Sequence, residues 1–149
     1  MTAILSPCTG VAVGLQDVPD PVFAGGLLGP GFAVEPEDGD QHALSPVAGR
    51  VLKIHPHAFV VVHGDRRGIL VHLGIDTVSL AGEGFTVLRE QGDDVEAGTP
   101  LISWDPRLIR ERGLSAIVPV VAVEATSEQI TGLTSGRITT GSPLFTDLR

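Results

Sequence analysis

The chain reads as an all-β protein: a compact antiparallel β-sandwich of jelly-roll or barrel-sandwich type, with one or two short peripheral helices. Three observations predict this class. Short apolar runs recur along the 149 residues, 19 Gly and 11 Pro punctuate them at short intervals, and no linker or low-complexity block divides them. The length suits one domain, residues 1–149, able to bury about two-thirds of its unfolded surface without a disulfide or structural metal.

The elements follow in order. GVAVGL (from Gly10), GFAVEP (from Gly31), GRVLKI (from Gly49), FVVVH (from Phe59) and GILVHLG (from Gly68) are strands opened or closed by turn residues. TPLISW, IVPVVAVE and ITTGSPLF continue the series from Thr99, Ile117 and Ile138. SPCTGVAV (Ser6–Val13) and SPVAGRVL (Ser45–Leu52) echo each other, each running Ser-Pro, then Gly, then a strand, as two related halves would. In WDPRLIRERG, Asp105 caps a short helix, Pro106 takes its first position and Gly113 ends it. In ATSEQITGL, Thr126 and Gln129 have capping-box spacing.

Charge narrows the function. A formal net charge of −8 without a basic run argues against nucleic acid and anionic membrane surfaces, and suits a positively charged partner. The single Cys8 forms no internal disulfide, and CxxC metal spacing is absent, which fits a reducing cytoplasm. The start, MTAILSPCTG, predicts neither export nor a membrane span or anchor. Cys8 and Trp104 read as core residues, and His42 and His63, in or beside polar loops, as solvated.

The chemistry concentrates in the hairpin HAFVVV (His57–Val62) and RGILVHLG (Arg67–Gly74). If Val62 pairs with Arg67 across a four-residue loop, His57 stands directly opposite His72, and a one-residue slip parts them to opposite faces. In that register Phe59, Val61 and Leu70 surround the imidazoles as a docking surface, while Ala58, Val60, Val62, Ile69, Val71 and Leu73 face the core. Imidazole passes between neutral and charged forms near neutral pH, so one histidine suits a nucleophile towards phosphorus and the other a hydrogen-bond donor to the transferred group. A zinc site would need a third ligand.

HLGIDTV (His72–Val78) followed by GEGF (Gly82–Phe85) is similar to the signature of the glucose-family IIA component of the bacterial phosphoenolpyruvate-dependent sugar phosphotransferase system. The resemblance continues in DVPDPVFAGGLLGPGFAVEP (Asp17–Pro36), SPVAGRV (Ser45–Val51), HAF (His57–Phe59), GDDVEAGTPLI (Gly92–Ile102) and IVPVV (Ile117–Val121). It implies a β-sandwich phosphocarrier that needs no cofactor or metal. His72 would take a phosphoryl group from the histidine-containing phosphocarrier protein and pass it to a cysteine of a IIB domain. By the same resemblance His57 is the second active-site histidine, Asp20 and Asp76 lie at the acidic rim, and Phe23 belongs to the docking face. Leu70 stands where the family often has Phe. The family often carries a hydroxyl residue shortly before the second histidine, and here His55 and Pro56 occupy that stretch.

Two other families share fragments of the pattern. The lysostaphin-like zinc metallopeptidases use a His-x-His pair at the second strand, but position 70 is Leu, so the pair is broken. Biotinyl and lipoyl carriers present a lysine at a hairpin tip, whereas Lys53 here lies inside GRVLKIHP.

Overall fold

The computed structural model describes residues 1–132 and 135–149. Among the described residues it is built from antiparallel strands with two short α-helices, the predicted class. The main sheet has eight strands. They run in the order β13 (Gly136–Ile138), β2 (Gly10–Gly14), β3 (Gly31–Pro36), β11 (Val118–Ala122), β7 (Arg67–His72), β6 (Ala58–His63), β5 (Gly49–His55) and β9 (Asp94–Val95). Two three-stranded sheets complete the body. One is β1 (Thr2–Leu5), β14 (Pro143–Asp147) and β12 (Ile130–Thr131), and the other is β4 (Gln41–Leu44), β10 (Pro100–Trp104) and β8 (Phe85–Val87). Between the sheets lie Ile4, Phe59, Ile69, Leu101, Leu144 and Phe145, all within 1% of full burial. Each such side chain contributes about 1.5–3 kcal/mol of transfer free energy.

The Ser-Pro echo is a structural repeat. Ser6 Oγ donates to the Cys8 carbonyl at 2.6 Å, and Ser45 Oγ donates to the Val47 carbonyl at 2.7 Å. The two turns also hold each other, since Leu5 N–H donates to Pro46 O and Leu44 N–H to Pro7 O. Both strands that follow begin on a glycine for the same reason. A Cβ at Gly10 would lie 2.0 Å from the Glu35 carbonyl oxygen, and one at Gly49 would lie 2.1 Å from that of Val62. Backbone packs against backbone there, and no side chain fits.

Helix α2 (Pro106–Glu111) forms as predicted, with Asp105 Oδ1 accepting from Arg107 N–H at 2.9 Å and Pro106 in the first turn. Thr126 N–H donates to Gln129 Oε1 at 2.9 Å, closing a 3₁₀ turn over Ser127–Gln129. Leu133, at the end of that predicted segment, lies outside the described residues. Helix α1 (Pro21–Ala24) had no counterpart in the sequence reading. Its four residues bury Phe23 over a second apolar cluster of Leu15, Val18, Ile75, Ile117 and Val121.

The histidine hairpin closes one residue out of the expected register. His63 pairs with Arg67 across a three-residue loop in which Gly64 and Arg66 both have positive φ, 57° and 64°. Pairing therefore sets Ala58 against His72, Val60 against Leu70 and Val61 against Ile69. The alternation of the whole hairpin inverts on β6. Phe59 and Val61, expected on a docking surface, turn inward with Ile69 and Val71 and are 1% and 0% exposed, so neither is available to a partner. Val60 and Val62, expected in the core, lie half-buried on the outer face with Leu70 and His72.

Candidate functional site

His72 ends β7, and the HLGIDT segment after it is a device for presenting its ring. Leu73 drops into the core at 0% exposure. The chain then reverses at Gly74 with φ 80°, where a Cβ would approach Thr77 Cγ2 to 2.7 Å and the Ser115 carbonyl oxygen to 2.9 Å. Only glycine makes this turn, and the turn returns its carbonyl to the histidine. Thr77, fully buried, donates its hydroxyl to Leu73 O at 2.8 Å, and Ile75 N–H donates to Ser115 O at 2.9 Å, which fix the loop from behind. Asp76 takes a left-handed φ of 62° and stands exposed at the start of a 3₁₀ turn over Thr77–Leu80.

The consequence is a defined tautomer. His72 Nδ1 lies 2.5 Å from the Gly74 carbonyl oxygen. An oxygen of that kind only accepts, so Nδ1 carries the hydrogen and Nε2 carries the free lone pair. The ring is held by one nitrogen and offers the other.

His57 reaches the same spot by a route that strand parity does not describe. It sits in the two-residue turn between His55 and Ala58, ahead of β6, with its carbonyl accepting from Leu73 N–H at 2.7 Å. A turn side chain is free of strict up-down alternation, so the one-residue slip does not separate the pair. The two rings meet edge-to-face with centroids 5.3 Å apart and planes at 66°.

Phe23 bounds the other side of His72, ring centroids 5.5 Å apart, and is 7% exposed. Asp20 places it there: its Oδ1 accepts from Val22 N–H at 2.8 Å, capping α1 with Pro21 in the first turn. Leu70 is half-buried on the same face as His72 and packs against the cluster beneath Phe23.

Both histidines favour the neutral form. Burial pushes the His72 pKa below its ordinary 6.5 and outweighs the opposing pull of the Gly74 hydrogen bond and the Asp20 and Asp76 carboxylates. His57 is lowered by burial first, then by the neighbouring His72 and His55. The charged side chains seen to act on His72 among the described residues are the carboxylates of Asp20 and Asp76, unlike the guanidinium clamp that grips a phosphate tightly.

Several participants escaped the sequence reading. Gly74 and Thr77, inside the quoted signature, set the tautomer and the loop. Val22, Leu27 and Val78 are 41%, 77% and 65% exposed on the segments either side of His72, and they supply the apolar rim that Phe59 and Val61 do not. His55 is exposed and stacks on His57, centroids 5.8 Å apart. His63, expected in solvent, is instead buried against Asp147 at 3.1 Å. Two surface grooves, of about 710 and 730 Å³, are lined by residues other than the two site histidines. A shallow apolar rim around a half-buried imidazole fits a protein partner better than an enclosed small substrate. Among the described residues no three His, Cys, Asp or Glu side chains are grouped to hold a metal ion, so the metallopeptidase pattern lacks its ligand set.

The chain resembles known proteins along most of its length. Residues 2–128 match the family model described as phosphoenolpyruvate-dependent sugar phosphotransferase system, EIIA 1. A PTS system glucose-specific EIIA component of Halalkalibacterium halodurans is 40% identical over 120 residues, 79% of this chain and 68% of that protein. The component of the same name from Staphylococcus aureus strain Mu50 is 42% identical over 121 residues, 80% of this chain and 72% of its own. The solved glucose permease IIA from Mycoplasma capricolum superposes with a TM-score of 0.88 at 31% identity, covering 96% of this chain and 93% of the other. With a histidine held by one nitrogen, a second imidazole beside it and the family pattern running through most of the sequence, the chain belongs to the EIIA 1 family of the phosphoenolpyruvate-dependent sugar phosphotransferase system.

Proposed function

We propose that this chain is a single cytoplasmic phosphocarrier domain. It takes a phosphoryl group on His72 from the histidine-containing phosphocarrier protein and delivers it to a cysteine of a IIB domain serving a permease for glucose, N-acetylglucosamine or a similar sugar. The observation that carries the reading is the Nδ1 contact to Gly74, which leaves Nε2 as the nucleophile. In loading, the Nε2 lone pair attacks phosphorus and the donor's P–N bond breaks, its electron pair returning to the donor nitrogen. In discharge, a cysteine thiolate attacks phosphorus and the electron pair of the P–N bond returns to Nε2. His57 donates a hydrogen bond to the phosphoryl oxygens as they pass. Asp20 and Asp76 form an acidic rim that attracts a basic donor, while Val22, Leu70 and Val78 give the contact its apolar part, with Phe23, expected on the docking face but buried, backing them. Among the described residues no helix is long and apolar enough to cross a membrane.

The test is incubation with phosphoenolpyruvate, the first enzyme of the system and the histidine phosphocarrier. One acid-labile, base-stable phosphoryl group should appear, and no label would defeat the reading. His57→Ala is expected to load but to discharge on the order of a hundredfold more slowly, as when one donor to a developing oxyanion is lost. Rapid-quench transfer to a IIB domain measures the difference. Asp76→Asn removes a carboxylate that repels the transferred phosphate, so the loaded fraction at equilibrium with the donor should rise about three- to tenfold. An unchanged equilibrium constant would remove that role from Asp76.

A further inference from the structure

His55 is the last residue of β5 and pairs with Ala58 across the turn that carries His57. Its ring lies nearly parallel to that of His57, with centroids 5.8 Å apart and planes 17° apart. Since His57 in turn meets His72 at 5.3 Å, the hairpin arranges three imidazoles in series, from solvent inward. The other charged groups on the surrounding elements are few. Lys53, two residues back on β5, is exposed; Glu83, on the loop facing Pro56 through Gly82, is paired with Arg112; Asp20 and Asp76 act on His72.

We propose that His55 is a proton-binding positioning residue that acts through His57: it takes up a solvent proton when His72 is phosphorylated, and so ties loading to pH. The inference rests on the phosphocarrier reading above. A phosphoryl group on Nε2 brings up to two negative charges beside His57, and a nearby anion favours protonated imidazole. Two imidazoles stacked face to face resist carrying two positive charges, so one proton serves the pair first. Exposed His55 loses less hydration on charging than half-buried His57, which burial already holds neutral. Transfer itself moves the phosphoryl group between nitrogens without changing the proton count, so the added proton comes from water. By linkage the form that binds more protons gains as pH falls. Loading is therefore favoured as pH falls.

The test compares wild type, His55→Phe and His55→Lys. Each is loaded chemically with phosphoramidate, and the imidazole C–H resonances are followed against pH before and after. The His55 midpoint should rise by about one pH unit on loading. At equilibrium with the donor, the wild-type loaded fraction should gain about threefold over His55→Phe between about pH 8 and about pH 6. His55→Phe keeps a stacked ring without a titrating nitrogen and should lose that gain. His55→Lys, a fixed cation, should load well at both ends. A His55 midpoint unmoved by loading, or a His55→Phe profile equal to wild type, overturns the inference. If wild-type His72 takes no phosphoryl group at all, the phosphocarrier reading fails and takes this inference with it.

Discussion

Replacing His72 with Gln is expected to abolish the proposed phosphoryl acceptance while leaving the fold in place. The glutamine amide can still donate to the Gly74 carbonyl, so the loop after β7 keeps its anchor. What disappears is the ring nitrogen with a free lone pair, and an amide nitrogen does not attack phosphorus. The His72 ring is the one seen held by a backbone carbonyl with Nε2 left free, so His57 is not expected to take its place. The stability cost should stay near 1 kcal/mol, the scale of one altered hydrogen bond. Radiolabel transfer from the donor measures the first effect and urea unfolding the second. The same reasoning fixes the pH behaviour. Because the folded pKa of His72 lies below 6.5, the nucleophile stays neutral as the medium acidifies through that value, and loading rates should hold there. A rate that halves at the ordinary imidazole pKa would contradict the depressed value.

Asp147→Asn is the substitution with the largest expected effect on stability, about 3–5 kcal/mol, because it strips the carboxylate from a buried charge network. Asp147 is 0% exposed, accepts from Arg149 Nη2 at 3.0 Å, and faces His63 Nε2 at 3.1 Å. Arg149 also donates to the Val123 carbonyl at 2.8 Å, so the network ties the end of β14 to the tip of the β6–β7 hairpin and to the residue after β11. Removing the negative charge leaves the guanidinium largely buried without its counter-ion. Acid should act in the same direction in two stages. His57, His63 and His72 all have folded pKa values below 6.5, the last two held there chiefly by burial against opposing partners, so the unfolded chain binds protons first. Their contribution is present above 6.5 and is lost as pH falls through the folded values. For Asp147, burial alone would raise the carboxyl, but Arg149 and then His63 hold it below 3.8. Its contribution survives the first stage and is lost as pH falls from 3.8 through that lower value. Urea midpoints recorded against pH should show both declines in wild type and lack the second in Asp147→Asn.

Much of this was legible in the residues, for reasons that can be named. Strand and turn positions followed from Gly and Pro because many of those glycines sit at positive φ or against a neighbouring backbone, as at Gly10 and Gly49. The Ser-Pro echo proved to be two turns that hold each other, since the same short pattern makes the same hydroxyl-to-carbonyl bond twice. Helix α2 was readable from Asp105, Pro106 and Gly113 because capping is a local matter. Register was not local. A three-residue loop with Gly64 and Arg66 both at positive φ set the pairing one residue out and put Phe59 and Val61 in the core instead of on the expected docking face. The histidines still met, because His57 belongs to a turn. Helix α1 is too short for a periodic signal, though Asp20 and Pro21 carry its start. The burial of His63 depends on Asp147, 84 positions away, which no window of sequence connects.

The most direct measurement is the bonding of phosphorus in the loaded protein, by proton–phosphorus correlation at natural abundance. Nε2 is flanked by two ring C–H groups and Nδ1 by one. Phosphorus on the free nitrogen should therefore couple to both ring protons of His72, with the Nδ1 hydrogen still held by Gly74. Coupling to a single ring proton, or to a histidine other than His72, would contradict the account.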